Sequence, residues 1–385
     1  VKIMLVSPYD FTYPGGANNH IIHLAQEYRA WGHEVRVIAP ASAGRPLPAL
    51  EGFRAVGSPV PIHSNGSTAR ITLSPTLSRQ ARRLLAEEQP DVIHLHEPLM
   101  PMLPLMVLWN AQVRTVGTFH AFAESNLGYF YMRPLLQRFF ERLDARIAVS
   151  RPAADFVGRY FGGDYEIIPN GIETENFGPG VEPLSQYRDG RPTILFVGRY
   201  NEPRKGFRYL LRAFALVRDQ FPDARLLVVG GGDPELYNDD LTRLGSQGVE
   251  FAGYVETSML PRYYVSCDIF CTPSIKGESF GIILLEAMAS GRAVVASRIP
   301  GHASVIDHGQ DGWLVPPQDP VALALALVRL LADREKREEI AVAGQRTAQR
   351  YAWSEIARRV LGIYQGQGEA VIAPQPALSL PAGIP

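Results

Sequence analysis

Cysteine is nearly absent from this chain of 385 residues, which has only Cys267 and Cys271. Two thiols cannot build a disulfide framework or a four-cysteine zinc site, and their scarcity points to a reducing compartment, the cytoplasm. A basic excess is also missing. The 38 basic and 39 acidic residues leave a formal net charge of −1, which argues against a nucleic-acid binder. Lysine is confined to Lys2, Lys205, Lys276 and Lys336; the bias toward arginine is read as genome composition. No apolar run approaches the ~20 residues of a membrane-spanning helix, and the longest candidate, Leu99–Trp109, is interrupted by Pro101 and Pro104. The apolar stretch from Lys2 to Pro8 is too short for a signal-peptide core. There is no GxGxxG fingerprint, which disfavours a simple nicotinamide site. Nor does an Asp-x-Asp metal motif close any strand, and Asp239-Asp240 reads as surface.

What is present is 46% hydrophobic residues, in a length that suits two or three domains. Lys2–Val6 is a continuous apolar run, as a buried parallel strand requires. Glu34–Ala39, Val92–Leu95, Arg114–Phe119, Arg146–Val149 and Tyr165–Ile168 repeat it. Helical patterns over Asn18–Trp31, Thr76–Glu88, Met132–Leu143 and Pro152–Tyr160 lie between them. This βαβα order predicts a doubly wound α/β sheet. Residues 171–192 carry turn signals without periodicity and are expected to be a hinge or linker. Strands then restart at Thr193–Val197, Ala224–Val229, Val249–Ala252, Ile269–Thr272, Ala293–Ser297 and Trp313–Val315. Helices alternate with them, among them Gly206–Phe221, Met259–Ser266 and Ser279–Gly291. The expected architecture is two tandem Rossmann-like domains, 1–170 and 193–351, facing across a deep cleft. A helix at 352–365 and a disordered tail at 366–385 follow.

Ligands of such sheets bind off the carboxyl ends of the strands, so polar residues just after strands are the candidates. Pro14-Gly15-Gly16 follows the first strand and opens a helix, whose N–H groups suit a phosphate. Arg199 and Lys205 follow the first strand of the second series, and two cations there suit a diphosphate. Glu278 and Glu286, eight residues apart, would face one side of a helix if Glu278 sits at its start. The N–H groups of Phe280, Gly281 and Ile282 could receive a phosphate, and Glu286 could accept from a ribose diol. His120 ends a strand and could donate to a ligand hydroxyl or move a proton. His94 and His96, on the neighbouring strand, are read as structural, and no metal site is expected.

Together these residues resemble those of retaining glycosyltransferases of the GT-B fold, family 4 type. The resemblance covers Lys2 to about Gln365 and rests on Pro14–Gly16 (PGG), Thr118–His120 (TFH), Ile168–Ile172 (IPNGI), Val197–Gly206 (VGRYNEPRKG) and Gly277–Gly291 (GESFGIILLEAMASG). Within that group, Ser7–Ile21, Asn65–Ile71 and His94–Pro101 resemble bacterial phosphatidylinositol mannosyltransferases. The resemblance implies an acceptor domain at the N-terminus, a nucleotide-sugar domain after the hinge, and a last helix crossing back to the first. It implies a donor, GDP-mannose, held by Gly15, Gly16, Arg199, Lys205, Val255, Glu278, Phe280, Gly281, Ile282 and Glu286. His120 and Glu278 would be the catalytic residues. Tyr9, Asn18, Asn65, Ser67 and Arg70 would line the acceptor pocket, Asn18 standing where the family carries glutamine. No cofactor or metal is implied, and transfer would retain configuration by same-face attack, the leaving phosphate acting as base.

Arg79, Arg82 and Arg83 lie with Leu77, Leu84 and Leu85 on one expected helix. A basic amphipathic helix suits an anionic lipid surface, so a peripheral place on the inner membrane face is expected. Other readings stay open: a UDP-sugar donor, a different lipid or soluble acceptor, or a nucleotide-sugar-binding protein or epimerase-like relative that transfers nothing. The complete set His120, Arg199, Lys205, Glu278 and Glu286 argues against the last.

Overall fold

The computed structural model describes residues 1–367 except 48, 65–66, 75, 122–125, 179, 245–247 and 279, and only the backbone of 63–64 and 67–69. The expected tail, 366–385, therefore lies outside the described residues from 368 on. The chain divides into two compact units, Val1–Asn170 with the segment from Trp353 onward, and Gly171–Ala352. The stretch expected as a hinge, 171–192, falls inside the second unit. Ile172 bridges to Ala352 there, and Phe177 and Leu184 are buried.

The strands of the first unit are β1 (Lys2–Val6), β2 (Glu34–Ala39), β3 (Phe53–Ala55), β4 (Pro59–Ser64), β5 (Ser67–Thr72), β6 (Val92–His96), β7 (Arg114–Phe119), β8 (Ala145–Ala148) and β9 (Glu166–Ile167). Its helices begin with α1 (Gly16–Ala30), α2 (Leu77–Glu88), α3 (Leu103–Asn110), α4 (Leu127–Phe140) and α5 (Arg151–Gly158). The second unit contains β10 (Thr193–Val197), α6 (Phe207–Gln220), β11 (Arg225–Val229), α7 (Asn238–Leu244), β12 (Val249–Gly253), α8 (Leu260–Tyr264) and β13 (Ile269–Thr272). It continues with α9 (Ile282–Ala289), β14 (Ala293–Ser297), α10 (Pro300–Ala303), β15 (Trp313–Val315), α11 (Pro320–Ala332) and α12 (Arg334–Gln349). The last helix, α13 (Trp353–Tyr364), belongs to the first unit.

Each unit is built on one parallel sheet, ordered β3-β2-β1-β6-β7-β8-β9 in the first and β12-β11-β10-β13-β14-β15 in the second. Side chains alternate across a strand, so each sheet feeds two cores. In the first unit Ile3, Leu5, Val35 and Val37 pack under α1 and α13, while Met4, Val6, Ile93 and Leu95 pack under α2 to α5. In the second, Ile194, Phe196, Leu226 and Val228 meet α6 and α11; Leu195, Leu227 and Val229 meet α8 and α9. Burying both faces is what the continuous apolar strand runs demand.

Local outcomes differ from the sequence reading: the short strand β3 was not expected, and Asp240, read as surface, is buried against Arg208 and Arg212. The antiparallel hairpin β4–β5 stands beside the parallel sheet, and the prolines at 59 and 61 hid it. Leu103–Asn110 is a helix despite Pro104, which sits in its first turn where its missing N–H costs nothing. Helix α4 starts at Leu127, earlier than the expected Met132, because the side chain of Asn126 accepts the Tyr129 N–H at 3.0 Å and caps it.

Candidate active site

In a doubly wound sheet the ligand crevice lies where strand order reverses. In the first unit that is between β1 and β6, which pair directly. Strand β6 ends on His96 and is followed by Glu97, and beyond β7 comes His120. His96 Nδ1 and His120 Nε2 share a hydrogen bond of 2.8 Å. His20, from α1, meets both rings edge-on, with centroids 5.3 and 5.1 Å away. His94 bonds the hydroxyls of Tyr364 and Thr118, each at 2.7 Å. Burial holds these imidazoles below their usual range, His20 near 4 and His94 near 3, and neighbouring histidines push His96 and His120 down further. All four are thus neutral at pH 7, and His120 can offer a substrate hydroxyl either an N–H or a lone pair.

Glu97 was not singled out in the sequence. It sits in left-handed backbone, φ +49°, and is buried. One carboxylate oxygen accepts the backbone N–H of His120 at 2.6 Å and of Ala121 at 2.7 Å. Burial pushes this carboxyl up to about 7, against the pull of the two N–H bonds. Glu97 therefore clamps the backbone that carries His120. The signal available was an acid directly after a buried strand end, in HLHEP; for His20 it was the fourth residue after Gly16.

The β1–α1 loop is tied by buried polar groups. Asp10 accepts from Thr12 and Ser42, and these bonds keep its carboxyl low against burial. Asn18, expected to bind acceptor, braces the loop. It is buried, accepts from the Ser7 hydroxyl at 2.7 Å, and donates to the carbonyls of Asp10 and Tyr13. Tyr9 bridges to Ile71 of the hairpin, and the Asp10 N–H donates to the Arg70 carbonyl at 2.8 Å. Tyr9 and Arg70 are thereby brought to the same loop, where the guanidiniums of Arg70 and Arg45 each lie 3.9 Å from the Tyr13 ring centre. Asn65 lies outside the described residues, and of Ser67 only the backbone, in β5, is described. Helix α1 opens at Gly16 behind Gly15 with no side-chain cap and no acid in its first turn. Both glycines are open to solvent, so the N–H groups are available to an anion.

In the second unit the reversal lies between β10 and β13. Arg199 follows β10, and the turn Pro203–Lys205 precedes α6. Gly206 holds this turn against the end of β13: its φ is +69°, and a Cβ there would meet the Pro273 carbonyl oxygen at 2.0 Å. The Ile275 N–H donates to the Arg204 carbonyl at 2.7 Å across the same junction. An ion ladder results. Arg199 pairs with Glu202 at 2.7 Å, Glu202 with Arg204 at 2.6 Å, and Arg204 with Glu278 at 3.0 Å. Glu278 also pairs with Lys205 at 2.6 Å. Three cations against two carboxylates leave one surplus positive charge. Arg204 and Glu202 were absent from the sequence reading.

Glu278 does not start the helix as expected. Gly281, with φ +80°, is the residue before α9, and Glu278 lies in the preceding loop. Helix α9 opens with no side-chain cap and no acid in its first turn. Phe280 is buried against Tyr351, so only its backbone is offered to a ligand, whereas Ile282 is exposed. Glu286, one turn into α9, accepts from the Tyr264 hydroxyl at 2.8 Å. Burial pushes it up to about 7, opposed by that bond, and its other oxygen remains for a diol. Val255 is half-buried just past β12. Among the described residues no group of three or more His, Cys, Asp or Glu is placed to hold a metal ion, and no helix is long and apolar enough to cross a membrane.

Comparisons with known proteins agree with this geometry. The pattern describing "Glycosyltransferase Family 4" matches residues 14–176, and that of "Glycosyl transferases group 1" matches 191–333. A phosphatidyl-myo-inositol mannosyltransferase of Mycobacterium leprae is 39% identical over 365 residues, covering 95% of this chain and 96% of the relative. One of Propionibacterium freudenreichii is 35% identical over 378 residues, covering 96% of each. The structure of Anabaena HepE in complex with UDP superposes with a TM-score of 0.73 at 22% identity, over 95% of this chain and all of that one. Two parallel-sheet units, matched over 95% of the chain by that structure, give the GT-B fold, and the two family patterns make the chain a glycosyltransferase. The chain belongs to the family 4, group 1 glycosyltransferases, with relatives among the phosphatidyl-myo-inositol mannosyltransferases along nearly its whole length.

Proposed function

We propose that this glycosyltransferase moves mannose from GDP-mannose to a hydroxyl of a phosphatidylinositol-type lipid, with retention of configuration, as a peripheral enzyme of the inner membrane face. The observation that carries the acceptor and sugar is the identity of 35–39% to phosphatidyl-myo-inositol mannosyltransferases across nearly the full chain. In the second unit, the surplus positive charge of the Arg199–Glu202–Arg204–Glu278–Lys205 ladder and the open start of α9 favour a diphosphate. A bound diphosphate draws Lys205 and Arg199 from their carboxylate partners and frees Glu278 for the sugar hydroxyls. Glu286 takes the ribose.

Bond cleavage places charge on the leaving diphosphate and on an oxocarbenium-like sugar. Lys205, Arg199 and the α9 N–H groups meet the first, and no metal is needed in this scheme. In the first unit, neutral His120 bonds a sugar hydroxyl without adding a positive charge that would oppose the oxocarbenium, and Glu97 fixes its backbone. Tyr9 and Arg70 line the acceptor side, and α2 brings Arg79, Arg82 and Arg83 to the lipid surface. The test is product formation from GDP-mannose, UDP-glucose and UDP-sulfoquinovose on phosphatidylinositol and on free inositol phosphate, with and without EDTA. Mannolipid from GDP-mannose alone, unaffected by EDTA, is expected. Turnover of a UDP-sugar instead, or an absolute need for metal, would overturn the scheme.

A further inference from the structure

Helix α4 departs from the rule that a surface helix turns a polar face to water. Its buried side is ordinary: Tyr129, Leu136, Phe139 and Phe140 join the core under the sheet. Its outer side is apolar as well. Leu127, Phe130 and Tyr131 are 70%, 65% and 73% exposed, and Met132 and Leu135 are exposed beside them. Positions 127, 130, 131 and 135 recur at three- and four-residue spacing, so they form one stripe. The only charges on α4 are Arg133 and Arg138, both exposed, and it has no acid.

The neighbouring helices continue this surface. Helices α2, α3 and α4 cover the same face of the sheet, with α2 packed on α3 and α3 on α4. Trp109 at the end of α3 is largely exposed; its ring stands 5.7 Å from that of Phe139 and 5.6 Å from the Arg142 guanidinium. Next to it Arg82 bonds Asn110 at 3.3 Å, and Arg79, Arg82 and Arg83 of α2 are exposed. Exposed aromatics and aliphatics framed by arginines match an anionic bilayer interface: apolar groups enter the acyl boundary, aromatic rings sit at headgroup level, and guanidiniums stay at the phosphates. A second copy of this chain fits less well, since two-fold pairing of the same face sets arginine against arginine.

We infer that the outer stripe of α4, Leu127, Phe130, Tyr131 and Leu135, inserts into the membrane interface beside the basic helix α2. Among the described residues, α4 is the next element after β7, which His120 follows. The inference deepens the lipid-acceptor reading and rests on it, yet it can fail separately, because the experiment contains neither inositol lipid nor sugar donor. The full chain is floated with vesicles of phosphatidylglycerol and phosphatidylcholine, and with phosphatidylcholine alone. The wild type should bind the anionic vesicles and release in high salt. The triple variant Phe130→Ser, Tyr131→Ser, Leu135→Ser should lose binding at least tenfold, while its thermal stabilisation by GDP stays unchanged. In a second arm, Tyr131→Cys carries an environment-sensitive dye, placed selectively because Cys267 and Cys271 are buried. Its emission should shift to the blue on anionic vesicles. Binding of the triple variant within twofold of wild type, a dye that stays in water, or failure of the wild type to bind any vesicle would each overturn the inference. So would a concentration-dependent dimer that hides the stripe in place of the bilayer.

Discussion

The clamp on His120 makes a prediction whose size follows from the structure. Glu97 is buried, its carboxyl lies at about 7 in the folded chain against an ordinary 4.5, and its oxygen holds two backbone N–H groups. The folded state binds this proton more tightly than the unfolded one. The stability it contributes is therefore complete below 4.5 and is lost as pH rises through about 7. That displacement amounts to about 3 kcal/mol. Replacement by glutamine keeps an oxygen for both N–H groups but has no charge to bury. Urea denaturation of wild type and Glu97→Gln, followed by tryptophan fluorescence from about pH 5 to about pH 8, should show the variant gaining about 2–3 kcal/mol on the wild type across that range. The histidines titrate in both proteins, so their contribution cancels in the difference. Glu97→Ala should behave differently. It leaves two N–H groups without an acceptor, at about 1–3 kcal/mol each, and frees the His120 backbone, so kcat should fall at least about tenfold. Parallel stability curves for wild type and Glu97→Gln would refute the argument that Glu97 is a desolvated carboxylate.

Other parts of the site give further tests. Lys205→Met removes the cation 2.6 Å from Glu278 and should lower kcat/KM roughly 10²–10³-fold, mostly through kcat; a loss under about tenfold would set Lys205 outside the reaction. Gly206→Ala places a Cβ 2.0 Å from the Pro273 oxygen in left-handed backbone. It should cost about 2 kcal/mol or more and weaken GDP binding measured by calorimetry. The four clustered histidines are held below 6.5, so the unfolded chain takes their protons first. The stability they contribute should be complete above 6.5 and be lost toward pH 4, and His20→Gln should flatten the melting temperature over that range.

Most of the parallel strands were legible, because parallel strands buried on both sides must be continuously apolar, as Lys2–Val6 and Thr193–Val197 are. The hairpin β4–β5 was not, since Pro59, Pro61 and its polar residues carry no alternation. Residues placed after strand ends, His120, Arg199 and Lys205, could be read from position alone. Glu97 carries the same signal, directly after β6; His20 and Arg204 do not, because they meet His96, His120 and Glu278 from segments distant in sequence, and Glu202 matters only through its pairs with Arg199 and Arg204. The side chain of Asn18 is engaged by Ser7, Asp10 and Tyr13 within its own loop, which spacing does not reveal. Glu278 was set on a helix because eight residues separate it from Glu286, but the left-handed Gly281 delays the helix to Ile282.

The central claim is mannosyl transfer to an inositol lipid, and one reaction tests it most directly. The purified chain is incubated with radiolabelled GDP-mannose and vesicles containing phosphatidylinositol, and the lipid extract is resolved and its anomeric linkage read by NMR. The account predicts a single mannosylated inositol lipid with an α linkage, lost in His120→Ala. Label that stays in water, or a labelled lipid formed equally without phosphatidylinositol, would contradict it.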